Sequence, residues 1–129
     1  MYDIDSLPPA RGAFSRIKVV QAGSARWLFV SGVAASVNTP PDAGSQTRIV
    51  FDIIAGLLNQ HGASLRDIVK VTAFVADMAD YDAYNAVRNE LFSVYDDPPA
   101  SSTVEARLVK PEFLVEVEAV ALLDTGARV

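Results

Sequence analysis

The 129-residue chain has no cysteine, a single histidine and no run of basic residues, and each shortage removes a class of function. Without cysteine there is no disulfide framework and no thiolate metal site. The histidine, His61, stands beside Gly62 at a predicted helix end. An exposed residue finishing a helix is its simplest reading, ahead of a metal role. Lysine and arginine number 11 against 16 aspartates and glutamates, giving a net charge of -5 and a pI near 4.7. A nucleic-acid or anionic-membrane surface needs at least a basic patch, so neither partner is expected. No apolar run approaches transmembrane length, and MYDIDSLPPARG lacks the basic-then-apolar order of a signal peptide. A cytoplasmic protein is the expectation.

What the chain does have is apolar surface. Half of its residues are hydrophobic and the mean hydropathy is +0.22, high for 13.8 kDa. The length fits one domain over residues 1–129, and so small a domain cannot cover that much apolar area alone. Self-association is therefore expected.

The stretch 98–123 carries the most information. It reads as two extended segments, Ala100–Arg107 and Phe113–Leu123, around a turn at Lys110-Pro111. Strand side chains alternate. Val115, Val117, Ala119 and Ala121 thus share one face, and Leu114, Glu116, Glu118, Val120 and Leu122 share the other. A solvated strand face is polar along its length. Two carboxylates bracketed by leucine and valine suggest instead a face covered by a partner chain or bordering a cavity. Glu116 is accordingly a functional carboxylate or an ion-pair anchor for an arginine such as Arg16 or Arg26.

The rest of the chain orders itself as β-β-α-β-α-β-β. Residues 1–12 read as an irregular arm, broken by Pro8-Pro9 and Gly12. Phe14–Ala22 and Arg26–Gly32 read as a hairpin turning at Gly23-Ser24. Residues 33–44 form a loop with Pro40-Pro41, equally a binding element or a passive connection. Ser45–His61 has Ile49, Val50, Ile53, Ile54, Leu57 and Leu58 at helical spacing, with Ser45 as N-cap and Gly62 as left-handed terminator. Ser64–Asp67 resembles a capping box and Ile68–Ala76 a strand. A second helix over Tyr81–Tyr95, capped by Asp77 or Asp80, turns Tyr84, Val87, Leu91 and Val94 inward. Asn85 lies on its flank, within reach of a neighbouring cleft. Residues 125–129 read as a frayed tail. Two helices cover one face of a mixed sheet of five to six strands, leaving the face with Glu116 open.

Several phrases, in order and at matching spacing, carry a resemblance over roughly residues 8–123. They are Phe14-Ser15-Arg16, LFVSG at 28–32, SQTRIV through NELF at 45–92, PASSTVEARL at 99–108 and LVEVEAVA at 114–121. On these the chain resembles the Rid (YjgF/YER057c/UK114) proteins, reactive intermediate/imine deaminases. The resemblance implies a chorismate-mutase-like α/β fold and a homotrimer with a central barrel and three clefts between subunits. It implies hydrolysis of enamines or imines to 2-oxo acids and ammonia, with no metal and no organic cofactor. By position, the water-handling glutamate falls on Glu116 and the backbone pair that lines the pocket on Ser31 and Gly32. The cleft asparagine falls on Asn85, the ring residue on Phe14, and a further lining position on Thr103. The arginine that clamps the substrate carboxylate falls on Ser101, whose single neutral hydroxyl cannot make a bidentate charged pair. Arg11 or Arg16 could approach from a neighbouring segment, whereas Arg107 is too far along the strand to serve.

The leading expectation is thus a trimeric hydrolase of an enamine, imine or related small electrophile, with altered substrate preference. A non-catalytic trimer binding a small metabolite in the same clefts is the alternative. Ribonuclease or translation-inhibitor activity comes last, given the acidic charge.

Overall fold

A two-residue turn starts the sheet. Gly23 takes φ +60°, which only glycine adopts freely. It joins β1 (Ile17–Ala22) to β2 (Ala25–Ala34), with Ile17 opposite Val30 and Ala22 opposite Ala25. The computed structural model describes residues 2–124, so the expected frayed tail over 125–129 lies outside them. β1 begins three residues later than Phe14, because Phe14, Ser15 and Arg16 run past the ladder.

The first helix, α1 (Ala43–Asn59), starts earlier than expected because Asp42, not Ser45, caps it. The Asp42 carboxylate accepts from the Ser45 N–H at 2.9 Å, and that hydrogen bond holds its carboxyl below the usual range. The helix ends as the sequence indicates. Gly62 is left-handed at φ +79°, with Gly62 N–H donating to Asn59 O at 3.2 Å and Ala63 N–H to Leu58 O at 3.0 Å. That bond pair closes a helix and satisfies its last carbonyls. Val50, Ile53, Ile54, Leu57 and Leu58 are all buried against the sheet.

The second helix, α2 (Tyr81–Phe92), stops three residues short of Tyr95. Asp77 caps the short 3-10 turn Met78–Asp80 that leads into it. Tyr84, Val87 and Phe92 are buried, but Val94 lies beyond the helix and is 74% exposed, not inward as its spacing predicts. The turn of chain before Pro98-Pro99 leaves the helical path, which displaces Val94 from the stripe.

Three more strands complete the sheet: β3 (Ile68–Val75), β4 (Ala100–Glu105) and β5 (Val115–Asp124). Their order is β1-β2-β5-β3-β4, and only the β3–β4 pair is parallel. β4 ends at Glu105, leaving Arg107 exposed outside the ladder. β5 is the central strand. Val115, Val117, Ala119 and Ala121 are at most 3% exposed, facing the helices as the alternation predicts.

The amino-terminal arm is irregular apart from one short turn, but it is anchored. Ile4–Ser6 forms a 3-10 turn, and Ile4 sits so close to Gly56 that a Cβ there would meet Ile4 Cδ1 at 2.7 Å. The apolar Tyr2, Ile4 and Leu7 anchor the arm on the core despite its prolines. Among the described residues no helix is long and apolar enough to cross a membrane.

Among the described residues no helix covers the second face of the sheet. Val20, Trp27, Phe29 and Val104 stand exposed on it, with Val120 and Leu122 half-buried between them.

Candidate functional site

Among the described residues the sheet has two register shifts, one between Ile68 and Lys70 of β3 and one in β2, and Glu116 lies beside the second. β2 pairs with β5 as Val30 with Ala119 and then Val33 with Val117, so Ser31 and Gly32 together oppose one residue of β5. This is a β-bulge, which frees backbone groups from the ladder and re-aims side chains. The extra residue lets the Glu116 side chain fold against Gly32. A Cβ on Gly32 would lie 2.5 Å from Glu116 Oε2 and 2.9 Å from its Cδ. Glycine is thus required for the carboxylate to keep this position. Ser31 is held from the other side, its N–H donating to Arg16 O at 2.9 Å and its Oγ to Ser15 O at 2.6 Å. The latter bond ties the 14–16 segment to the bulge, while the Phe14 ring is 55% exposed and lies against Gly12.

Glu116 is half-buried, and no described residue donates a hydrogen bond to its carboxylate or pairs with it. Arg16 donates to the Pro8 carbonyl, and Arg26 to the His61 carbonyl at 2.8 Å, so neither serves as an ion-pair anchor. Burial pushes the Glu116 carboxyl up, and the Glu118 charge on the same strand face adds to the rise. A carboxylate with raised basicity and unfilled acceptor positions can take a proton from water.

A second polar group lies elsewhere. Asn85 and Arg88 lie one helical turn apart on α2, and Arg88 reaches Ser101 at the start of β4. Arg88 Nη1 donates to Ser101 Oγ at 3.1 Å, Nη2 donates to Asn85 Oδ1, and both Nε and Nη2 reach Asn89 Oδ1. Tyr81 Oη donates to Asn85 Oδ1 at 3.3 Å. The guanidinium carbon stands 5.6 Å from the centre of the Tyr84 ring. Thr103, two residues beyond Ser101, shares its face and pairs with Ala73.

The expected site residues therefore fall into two groups that one chain does not unite. Ser101 and Thr103 register with Val71 and Ala73, on the helix side of the edge strand β4. Glu116 projects from the opposite face two strands away, about 10 Å by strand spacing alone. Sequence reasoning placed Ser31, Gly32, Ser101 and Thr103 around one polar end of a substrate; within a chain, only the first two lie by Glu116. Arg88 was missed. Its signal was available as the i, i+3 spacing from Asn85, but an arginine on a helix flank reads as solvated surface.

A buried glutamine positions the entry to β5. Gln46, 0% exposed, donates through Nε2 to Pro40 O at 2.8 Å and Glu112 O at 2.9 Å, and accepts from Leu114 N–H at 2.8 Å. It fastens the 33–44 loop to the segment that precedes Glu116. Thr39 Oγ1 donates to Ala35 O at 3.0 Å within the same loop. Of the two readings of that loop, the bonds favour a fixed connection. Among the described residues no cluster of three or more His, Asp or Glu side chains could hold a metal ion.

Comparison with known proteins shows the family and the fold. Residues 5–123 match the endoribonuclease L-PSP family model. The 3-aminoacrylate deaminase RutC of Acinetobacter baylyi is 41% identical over 80 residues, a match spanning 62% of this chain and 62% of that protein. A RutC family protein of Pyrococcus abyssi is 34% identical over 125 residues, covering 91% of each. A solved structure of a YjgF/YER057c/UK114 family member from Mycobacterium tuberculosis superposes with a TM-score of 0.73 at 32% identity, covering 85% of this chain and 86% of that one.

Proposed function

This chain belongs to the endoribonuclease L-PSP family, which takes in the YjgF and RutC proteins, and from that premise we propose that it hydrolyses a small enamine or imine to a carbonyl compound and ammonia. The observation that carries the reading is Glu116, a half-buried carboxylate with raised basicity held against the Gly32 backbone and left without a partner. The named activity of the Acinetobacter relative, 3-aminoacrylate deamination, supports the reaction class.

In this mechanism an enamine gains a proton from solvent at carbon, or an imine at nitrogen, to give the iminium ion, and Glu116 takes a proton from water as the oxygen adds to the iminium carbon. Glu116 then returns that proton to the nitrogen of the neutral carbinolamine, which expels ammonia as its hydroxyl proton passes to solvent and the carbonyl forms. One water enters and one ammonia leaves. The backbone freed by the Ser31–Gly32 bulge and the ring of Phe14 border the reacting end. Asn85, Ser101 and Thr103 border the other end from a neighbouring copy, in a homotrimer whose subunits pack their open sheet faces together as a barrel. Two facts support that assembly: the apolar side chains on the open face, and the separation of the two polar groups within one chain. The nuclease in the family's name finds no support in a chain of net charge -5 without a basic patch.

Ammonia release from enzymatically generated 2-iminopropionate and 3-aminoacrylate tests the proposal. Glu116→Gln is expected to lower kcat by about a hundredfold or more. Full activity in that variant contradicts it. The serine at position 101 favours one other reading, a trimer that binds a small metabolite without turning it over; ligand binding with no ammonia from any imine selects that reading.

A further inference from the structure

The middle of the open sheet face holds charge as well as apolar side chains. A depression of about 310 Å³ there has Lys18, Phe29, Lys70, Thr72, Glu118 and Val120 in its lining. The strand register sets their arrangement. Lys18 of β1 lies opposite Phe29, Phe29 opposite Val120, and Val120 opposite Lys70, so one row runs from lysine to lysine across four strands. Glu118 stands in the next row, on the central strand and opposite Thr72.

Lys70 is engaged within the chain, its Nζ donating to Ser102 Oγ at 2.8 Å. Lys18 and Glu118 are not. Both are exposed, and among the described residues neither has a hydrogen-bond partner or an opposite charge to pair with. β2 lies between their strands, which sets them about 10 Å apart by strand spacing alone. For one copy in water this costs little. Once the face is covered, both charges leave water, and a buried charge without a partner is costly. A purely apolar surface therefore does not suit this face. Its partner has to bring a cation to Glu118 and an anion to Lys18.

A second copy of the chain brings both. The whole chain has 11 basic residues against 16 acidic ones, but the centre of this face has two of each, Lys18 and Lys70 with Glu116 and Glu118. Copies repel one another over much of their surface and are balanced here. The placement also suits closure into a ring, because Lys18 is on an edge strand and Glu118 on the central one. Each copy can lay its edge lysine on the centre of the next and receive one in turn. A lysine on an edge strand also guards against stray strand pairing, but that role asks nothing of Glu118.

We infer that Lys18 of one copy pairs with Glu118 of the next, and that this contact selects a second copy as the occupant of the open face and fixes its register. The inference rests on the assembly in the proposed function, to which it adds the contact that specifies it.

Charge reversal in the full chain tests it, with assembly followed by sedimentation and native mass spectrometry over a dilution series. Lys18→Glu and Glu118→Lys each set like charges against one another at every contact. Each is expected to raise the concentration at half-dissociation by about tenfold or more. The double variant Lys18→Glu/Glu118→Lys restores the opposite charges and is expected to return to within a few-fold of the wild type. Should a reversal fail to fold, Lys18→Gln and Glu118→Gln carry the same test: each is expected to weaken assembly several-fold, and the two together no more than either alone. Single variants that assemble like the wild type, or a double reversal that stays dissociated, overturn the inference and leave the assembly standing. A wild-type chain that is monomeric at every concentration overturns the assembly itself, and the inference with it.

Discussion

Glu116 carries a cost to folding beside the role proposed for it. Its carboxyl is raised by burial and by Glu118, so the folded state holds the proton more tightly than the unfolded chain does. The stability that follows is fully present below the ordinary glutamate range and is lost as pH rises through the raised folded value. At neutral pH the ionised side chain therefore works against folding, and a neutral isostere there does not. Glu116→Gln is expected to melt at or above the wild-type temperature at pH 8, with the difference shrinking toward pH 4. A variant that is least stable relative to wild type at pH 8 contradicts this. A side chain that lowers stability where it raises reactivity is typical of a residue placed for chemistry. The sequence showed this residue through its bracketing by Leu114, Val120 and Leu122, and the resemblance gave it a role. The sequence could not show the absence of an ion-pair partner. That depends on where Arg16 and Arg26 end, and both are drawn to backbone carbonyls far from Glu116 in the chain.

At the scale of elements, Gln46 links three segments that the sequence leaves unrelated. Its amide satisfies Pro40 O, Glu112 O and the Leu114 N–H from the first turns of α1. Gln46→Leu has nearly the same volume but strands all three groups, so it is expected to cost about 2 kcal/mol or more, measured by chemical denaturation. A loss below about 0.5 kcal/mol contradicts the clamp. Gln46 falls within an apolar helical pattern, and no periodicity distinguishes a buried, fully bonded glutamine from an exposed one. Helix and strand identities were legible because Val50 through Leu58 and Val115 through Ala121 follow clean periods of 3.6 and 2. The boundaries were less so. Asp42 outcompetes Ser45 as a cap, and the departure of the chain after Phe92 takes Val94 out of the core. The anchoring of the arm by Tyr2, Ile4 and Leu7 was hidden for a related reason, since its prolines mark it only as irregular.

At the scale of the whole molecule, the uncovered sheet face and the divided site have one explanation. A chain of this size leaves Trp27, Phe29, Val20 and Val104 in solvent on the face that holds Glu116, while Arg88, Asn85 and Ser101 meet on the helix side of the edge strand β4. Composition and the alternation of β5 indicated the open face from sequence alone. The division could not be read there, because parity within β4 and within β5 does not tell which faces of two separate strands coincide until the sheet order is known. If each cleft takes Glu116 from one copy and the Asn85 and Ser101 held by Arg88 from the next, two impaired variants should repair one another. Glu116→Gln and Arg88→Gln chains, unfolded together, refolded as a mixture and assayed for ammonia release under subsaturating substrate, are the direct measurement. Random assembly of equal amounts leaves both wild-type groups in about one quarter of the clefts, so recovery to about a quarter of wild-type activity is predicted. A mixture no more active than the average of the two variants, with mixed oligomers present by native mass spectrometry, would contradict a cleft shared between copies.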